Sequence, residues 1–263
     1  MRELAYFHVC RALGWLLRSA RYSSARVVRQ NRESSVRKNR SFYAPLLVSL
    51  GNVLLGILDT GVRVLPERDW HERERQIYRS LYAISVRVDV DGTLILPCLT
   101  GETLATLLED PALQESVRLK AIACAAVALA EFHQRGFTHG DAMAENVLVD
   151  PGPHPYVARW FDFETIHDSN RPLAWRRADD VRALLATCLL RAEPERLPET
   201  LQLILDAYGD EEVSRLLEAS FSSTLRRPLT FHLAQAGLSI RRFREIARLL
   251  RARVVGQGFE PGC

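Results

Sequence analysis

A chain of 263 residues is long enough for one large domain or a two-lobed one, and 47% hydrophobic with 25% charged residues excludes wholesale disorder. The formal net charge of +3 is too small to define a partner, but the basic residues are unevenly placed: nine lie between Arg11 and Arg40 against one acid, Glu33. The five cysteines form no CxxC pair and read as buried thiols in a reducing compartment rather than a disulfide or zinc framework.

In chain order, residues 1–41 read as a basic, partly helical extension, with Leu4, Phe7, Leu13, Leu16 and Leu17 marking an apolar helix face over residues 3–19. Such an arm suits solvent or an anionic surface of lipid, phosphate or nucleic acid. Nucleic acid is the weakest of these partners. The run Leu13–Leu17 is too short, and flanked by the wrong residues, for a secretory signal. The uncharged stretch Ser41–Leu58 approaches membrane-spanning length, but Pro45, Gly51, Asn52 and Gly56 weaken it as a spanning helix. A cytoplasmic protein with a peripheral contact at the inner membrane face, through the basic arm, is the expectation.

Residues 42–98 form the next unit. Leu46–Leu50 and Val53–Leu58 read as strands around a Gly51-Asn52 turn, and Val62-Arg63-Val64-Leu65 as a third strand. A helix over Trp70–Ala83 follows, then a hairpin of Val86–Val90 and Thr93–Cys98 joined at Asp91-Gly92. Residues 99–263 are mostly helical: a short helix over Glu102–Leu108, a long one over Leu113–Gln134 ended at Gly136, and helices from Ala178 to about Val254. Two short strands, Asn146–Val149 and Val157–Phe163, interrupt them.

The chemistry-bearing stretch is Phe137-Thr138-His139-Gly140-Asp141-Ala142-Met143-Ala144-Glu145-Asn146, followed sixteen residues later by Asp162-Phe163-Glu164. An Asp followed five positions on by an Asn before a strand places both on one loop. A second Asp at the end of the next strand faces that pair across about one strand spacing. Oxygen ligands for magnesium beside a carboxylate near a hydroxyl are what phosphoryl transfer requires.

These residues resemble the protein kinase superfamily. His139-Gly140-Asp141 through Asn146 aligns with the H-R-D-L-x-x-x-N signature, and Asp162-Phe163-Glu164 with D-F-G. The resemblance implies an α+β, two-lobed protein-kinase-like fold, with an antiparallel-sheet N-lobe carrying one main helix and a helical C-lobe. It implies ATP and Mg2+ as cofactors, Asp141 orienting or deprotonating an acceptor hydroxyl, His139 bracing the loop, and Asn146 and Asp162 ligating magnesium.

Two departures stand out. No lysine lies between Lys38 and Lys120, so the cation expected to hold the nucleotide phosphates is assigned by position to Arg63, with Glu74 as its helix partner and Glu72 as the alternative. The glycine-rich loop is reduced to Gly51-Asn52. Asp162 and Asp180, the latter expected to be structural, are only eighteen positions apart, with no A-P-E motif between them. That is too short for a peptide-docking activation segment, and closer to lipopolysaccharide core and Kdo kinases, RIO kinases and aminoglycoside-type phosphotransferases. The expected function is therefore phosphoryl transfer to a hydroxyl of a small-molecule or lipid-linked glycan acceptor. The alternative is a pseudokinase that binds nucleotide or a partner without transfer, favoured by the missing lysine and thin glycine loop.

Overall fold

The computed structural model describes residues 23–30, 33–150, 152 and 156–222, together with Tyr6, residues 8–12 and positions 232, 237, 239, 241, 242, 245 and 248. The chain is α+β, with a small antiparallel sheet towards its N-terminus and a largely helical remainder. Strands β1 (Ser23–Gln30) and β2 (Glu33–Arg40) form a hairpin. Helix α1 (Ala44–Ile57), strand β3 (Val62–Val64) and helix α2 (Glu67–Tyr82) follow. Next come β4 (Arg87–Val88) and β5 (Leu94–Pro97), which complete a four-stranded sheet of order β1-β2-β5-β4.

Strand β6 (Glu102–Thr103) leads into α3 (Leu104–Glu109), whose first turn is capped by the Thr103 hydroxyl accepting from the Thr106 amide. Helix α4 (Glu115–Gln134) buries Ala121, Ile122, Ala125, Ala126 and Leu129, small and branched residues that let neighbouring helices approach closely. Strands β7 (Val147–Asp150) and β8 (Val157–Trp160) pair antiparallel beside β6. Strand β9 (Thr165–His167) turns away from them and pairs with β3. Helix α5 (Leu173–Arg191) is buried without a break from Ala178 to Leu189, so it is a central helix rather than an amphipathic surface one. Helices α6 (Leu197–Tyr208) and α7 (Glu211–Ser222) pack on α4 and α5. Among the described residues no helix is long and apolar enough to cross a membrane.

From β3 onward most elements match the expected ones; β6, expected as the start of a helix, and β9, for which no strand is expected, are the exceptions. The elements before β3 do not match. Residues 23–40, read as belonging to an extension, are two strands of the main sheet. Leu46–Leu50 and Val53–Leu58, read as strands, are one helix. Pro45 sits in its first turn, where a missing amide costs nothing, and Ala44, Val48, Gly51 and Leu55 recur at helical spacing on its buried face. Gly51-Asn52 is therefore no turn and no nucleotide loop. The Asn52 side chain instead clasps β3, accepting from the Val64 amide at 2.8 Å and donating to its carbonyl at 2.9 Å. The expected helix over 3–19, and the part of the expected helical run beyond residue 222, lie largely outside the described residues.

Candidate active site

Asp141, Asn146 and Asp162 come together as their spacing predicts, and each is positioned by a different element. The loop bearing Asp141 hangs from α5. The Asp180 carboxylate accepts from the His139 amide at 2.6 Å, the Gly140 amide at 2.8 Å and His133 Nε2 at 2.9 Å. With so many donors Asp180 is held down at a pKa of about 2, although burial alone would raise it; the histidine charges around it prevail. Asp180 is thus structural, as expected. Its neighbour Asp179, also fully buried, accepts from His167, His232 and Arg182, tying β9 and residue 232 to the same helix.

His139 braces the loop from inside. Its Nε2 donates to the Phe161 carbonyl at 3.0 Å and its Nδ1 faces the Asp141 amide at 3.3 Å, which fixes a neutral tautomer. Burial pushes its pKa down to about 4, so it carries no charge near neutrality and acts as a strut rather than a proton carrier. An aromatic column continues from it. The Phe163 ring lies 5.1 Å from His139, 5.5 Å from Phe132 and 6.1 Å from Tyr78, joining the two motif loops to α4 and α2.

Gly140, between His139 and Asp141, sits where only a glycine fits. Its φ is 82°, and a Cβ there would lie 3.1 Å from the Ile166 amide nitrogen and the Thr165 carbonyl carbon. Strand β9 therefore lies directly on the loop bearing Asp141, in the space where a longer side chain would sit.

Asp162 has φ 68°, a left-handed conformation that costs a non-glycine residue of order 1 kcal/mol or more. Its surroundings hold it there. Oδ1 receives a hydrogen bond from Lys38 Nζ at 2.7 Å, and the next amide, Phe163, donates to Glu74 Oε1 at 3.3 Å. Lys38 Nζ also lies 3.1 Å from Glu74 Oε1, which takes a further bond from Trp70 Nε1 at 3.2 Å. Glu74 is fully buried, and its Oε2 has no hydrogen-bond partner among the described residues. Burial alone would depress the lysine, but the Asp162 and Glu74 carboxylates reverse this and hold its pKa above the ordinary value. For Asp162 the balance has the same form: burial opposes ionisation, and Lys38 overcomes it, so its pKa falls.

The cation facing Glu74 is therefore Lys38, which corrects the assignment to Arg63. Arg63 is exposed on β3 between buried Val62 and Val64, opposite Ile166 of β9. Glu74 keeps its predicted place, and Glu72 pairs instead with Arg75 at the surface. Lys38 escapes sequence reading because β1 and β2 are rich in serine and arginine and resemble a solvated arm. The signal present is valine alternating with Lys38: the register pairs Val36 with Val27 and Lys38 with Ala25 on one face of the hairpin.

Asp141 is the unsettled group electrically. Burial, followed by the nearby Asp162 charge, raises its pKa to about 7. Asn146 steadies it, its Nδ2 donating to the Asp141 carbonyl at 2.8 Å and to Oδ2 at 2.9 Å. The Asn146 amide oxygen and Asp162 Oδ2, beside Asp141 Oδ1, are oxygens that could face a cation. Among the described residues no group of three or more His, Cys, Asp or Glu side chains is arranged to hold a metal alone. The sequence matches no protein-family model and no curated protein.

Proposed function

We propose that the chain is a protein-kinase-like, two-lobed phosphotransferase that uses ATP and magnesium to phosphorylate a hydroxyl of a small-molecule or lipid-linked acceptor. The observation that carries this reading is the buried Lys38 bridging Glu74 and Asp162, at 3.1 and 2.7 Å. A lysine buried between two carboxylates is a costly feature, and breaking such a pair leaves a bare charge worth about 3–5 kcal/mol. It is understandable where the ammonium exchanges some of this pairing for phosphate oxygens during turnover.

Each residue then has a role that follows from its chemistry. Lys38 holds nucleotide phosphates as a compact point charge, with Glu74 fixing its position from α2. Ala25, Val27 and Val36 share the face of the hairpin that carries Lys38, an apolar surface suited to a flat base. Magnesium, when bound, would neutralise the charge developing on the transferred phosphoryl group. Asp162 and the Asn146 oxygen fit it as hard ligands, the remainder being phosphate and water. Asp141, with a pKa of about 7, orients the acceptor hydroxyl and takes up its proton.

The short connection after Asp162 supports this acceptor class. Strand β9 begins at Thr165 and α5 at Leu173, and the chain between has no platform on which an extended peptide could dock. Lys38 answers the missing-lysine premise of the pseudokinase alternative, whereas its other premise, the thin glycine loop, stands, since Gly51-Asn52 lies within α1. Calorimetric titration of ATP with and without magnesium, into wild type and Asp162→Asn, tests the reading. Magnesium-dependent binding that weakens at least about tenfold in the variant is expected. Absence of binding to folded wild-type protein would sink it.

A further inference from the structure

Helix α1 is apolar on two opposite faces, and only one of them has a partner. Ala44, Val48, Gly51 and Leu55 are buried against the domain. Leu46, Leu50, Val53 and Ile57, at the same i, i+4, i+7, i+11 spacing half a turn around, are 52–73% exposed. Phe42, just before the helix, is 92% exposed and extends the stripe at its N-terminal end. Single exposed leucines are ordinary, but an aligned row of them with an aromatic at its head is a contiguous patch. No charged residue occurs between Ser41 and Leu58. At 1.5 Å per residue the fourteen-residue helix is about 21 Å long, too short to cross a bilayer core of about 30 Å, so its outward face lies along a surface.

The charges around the stripe select the surface. The helical segment over residues 8–12 packs on α1 through Cys10, in one cluster with Val48 and Leu55, and exposes Val9 and Arg11 beside it. The first 43 residues carry ten basic and two acidic side chains. Of these, Lys38 is taken up by Glu74 and Asp162, Arg37 by Asp89 and Arg40 by Glu164, while Arg11 is exposed on the segment packed against α1. An apolar stripe with no acidic residue between Ser41 and Leu58 and with Arg11 exposed on the neighbouring segment complements anionic lipid headgroups over an acyl boundary. A second copy of the chain on the same stripe would instead bring two basic segments together.

The position of α1 gives the contact a purpose. Asn52 and the cluster around Val62 and Val64 fasten α1 to β3, β3 pairs with β9, and the β9 backbone lies against Gly140, next to Asp141. With about 10 Å for a helix on a strand and about 5 Å per strand step, the stripe lies on the order of 20 Å from the catalytic carboxylate. We propose that the α1 stripe rests on an anionic membrane surface and that the acceptor hydroxyl is carried by a lipid in that surface. The first half stands on the exposed stripe and its charges alone; the second rests on the phosphotransferase reading.

The test is flotation of the full chain with vesicles of phosphatidylcholine containing phosphatidylglycerol, against phosphatidylcholine alone, for wild type and for Leu50→Asp/Val53→Asp. ATP titration and light-scattering mass are measured on the same samples. Both substituted side chains are exposed, so the variant is expected to fold and bind nucleotide as wild type does. Wild type should float with the anionic vesicles and less with the neutral ones, and the variant should partition on the order of a hundredfold more weakly. Equal flotation of variant and wild type overturns the proposal, as does wild type that binds ATP but no vesicle. A wild-type dimer that the variant dissolves, without vesicle binding, assigns the stripe to a second copy. Vesicle binding by a chain that binds no ATP keeps the membrane contact and removes the phosphotransferase reading and the acceptor assignment with it.

Discussion

The segment from Phe137 to Glu164 and the segment from Ser23 to Leu65 contribute to the same site in opposite ways. The first carries its chemistry in order along the chain: Asp141, Asn146 and Asp162 lie on one loop and the strand pair that follows it. The second contributes one residue, Lys38, whose partners are 36 and 124 positions away. The lesson is that spacing within a loop is set by local geometry, whereas a charge pair across a cleft is set by packing. Such a pair leaves almost no trace in sequence.

Three experiments press on this difference. The largest expected effect is on the loop's support. Asp180→Asn replaces a carboxylate that accepts from two amides and a histidine with a group that can serve only some of them. A loss of about 3–5 kcal/mol is expected in the denaturant midpoint, or failure to fold. A loss below about 1 kcal/mol would mean that the loop is held by its own sequence.

A smaller effect concerns Asp141. Folding raises its pKa from 3.8 to about 7, so the native state binds a proton that the unfolded chain releases. Its contribution to stability is complete below the unfolded value and is lost as pH rises through about 7. Asp141→Asn should therefore stabilise the protein at pH 8 by about 1 kcal/mol after allowance for solvent screening, with little change at pH 4, while phosphoryl transfer is abolished. Melting temperatures across that range check the sign. Destabilisation of the variant at pH 8 would show that the carboxylate is ionised and satisfied in the folded state.

Much of the fold is legible from β3 onward because most elements there announce themselves by period or punctuation, the short strands β6 and β9 excepted. The Asp91-Gly92 hairpin dipeptide and the glycine ending α4 are examples. The earlier elements are not legible, for identifiable reasons. Strand β1 is exposed on both faces, and β1 and β2 are rich in serine and arginine with only a few valines to mark them. In α1 the apolar residues occupy both the buried and the outward face, which hides the helical period and makes two short runs look like strands. Asn52, a turn former by composition, is used inside a helix to hold β3. The misassigned Arg63 follows from these errors: with the hairpin read as an extension, its only lysine is left out of the search for a partner to Glu74.

The central claim is that Lys38, and not Arg63, is the nucleotide-holding cation. Calorimetric titration of magnesium-ATP into Lys38→Met and Arg63→Met tests it most directly. Binding should weaken by at least about tenfold in Lys38→Met, provided circular dichroism shows that it is folded, and should stay within about twofold of wild type in Arg63→Met. Unchanged binding in a folded Lys38→Met protein, or a loss confined to Arg63→Met, would contradict the account.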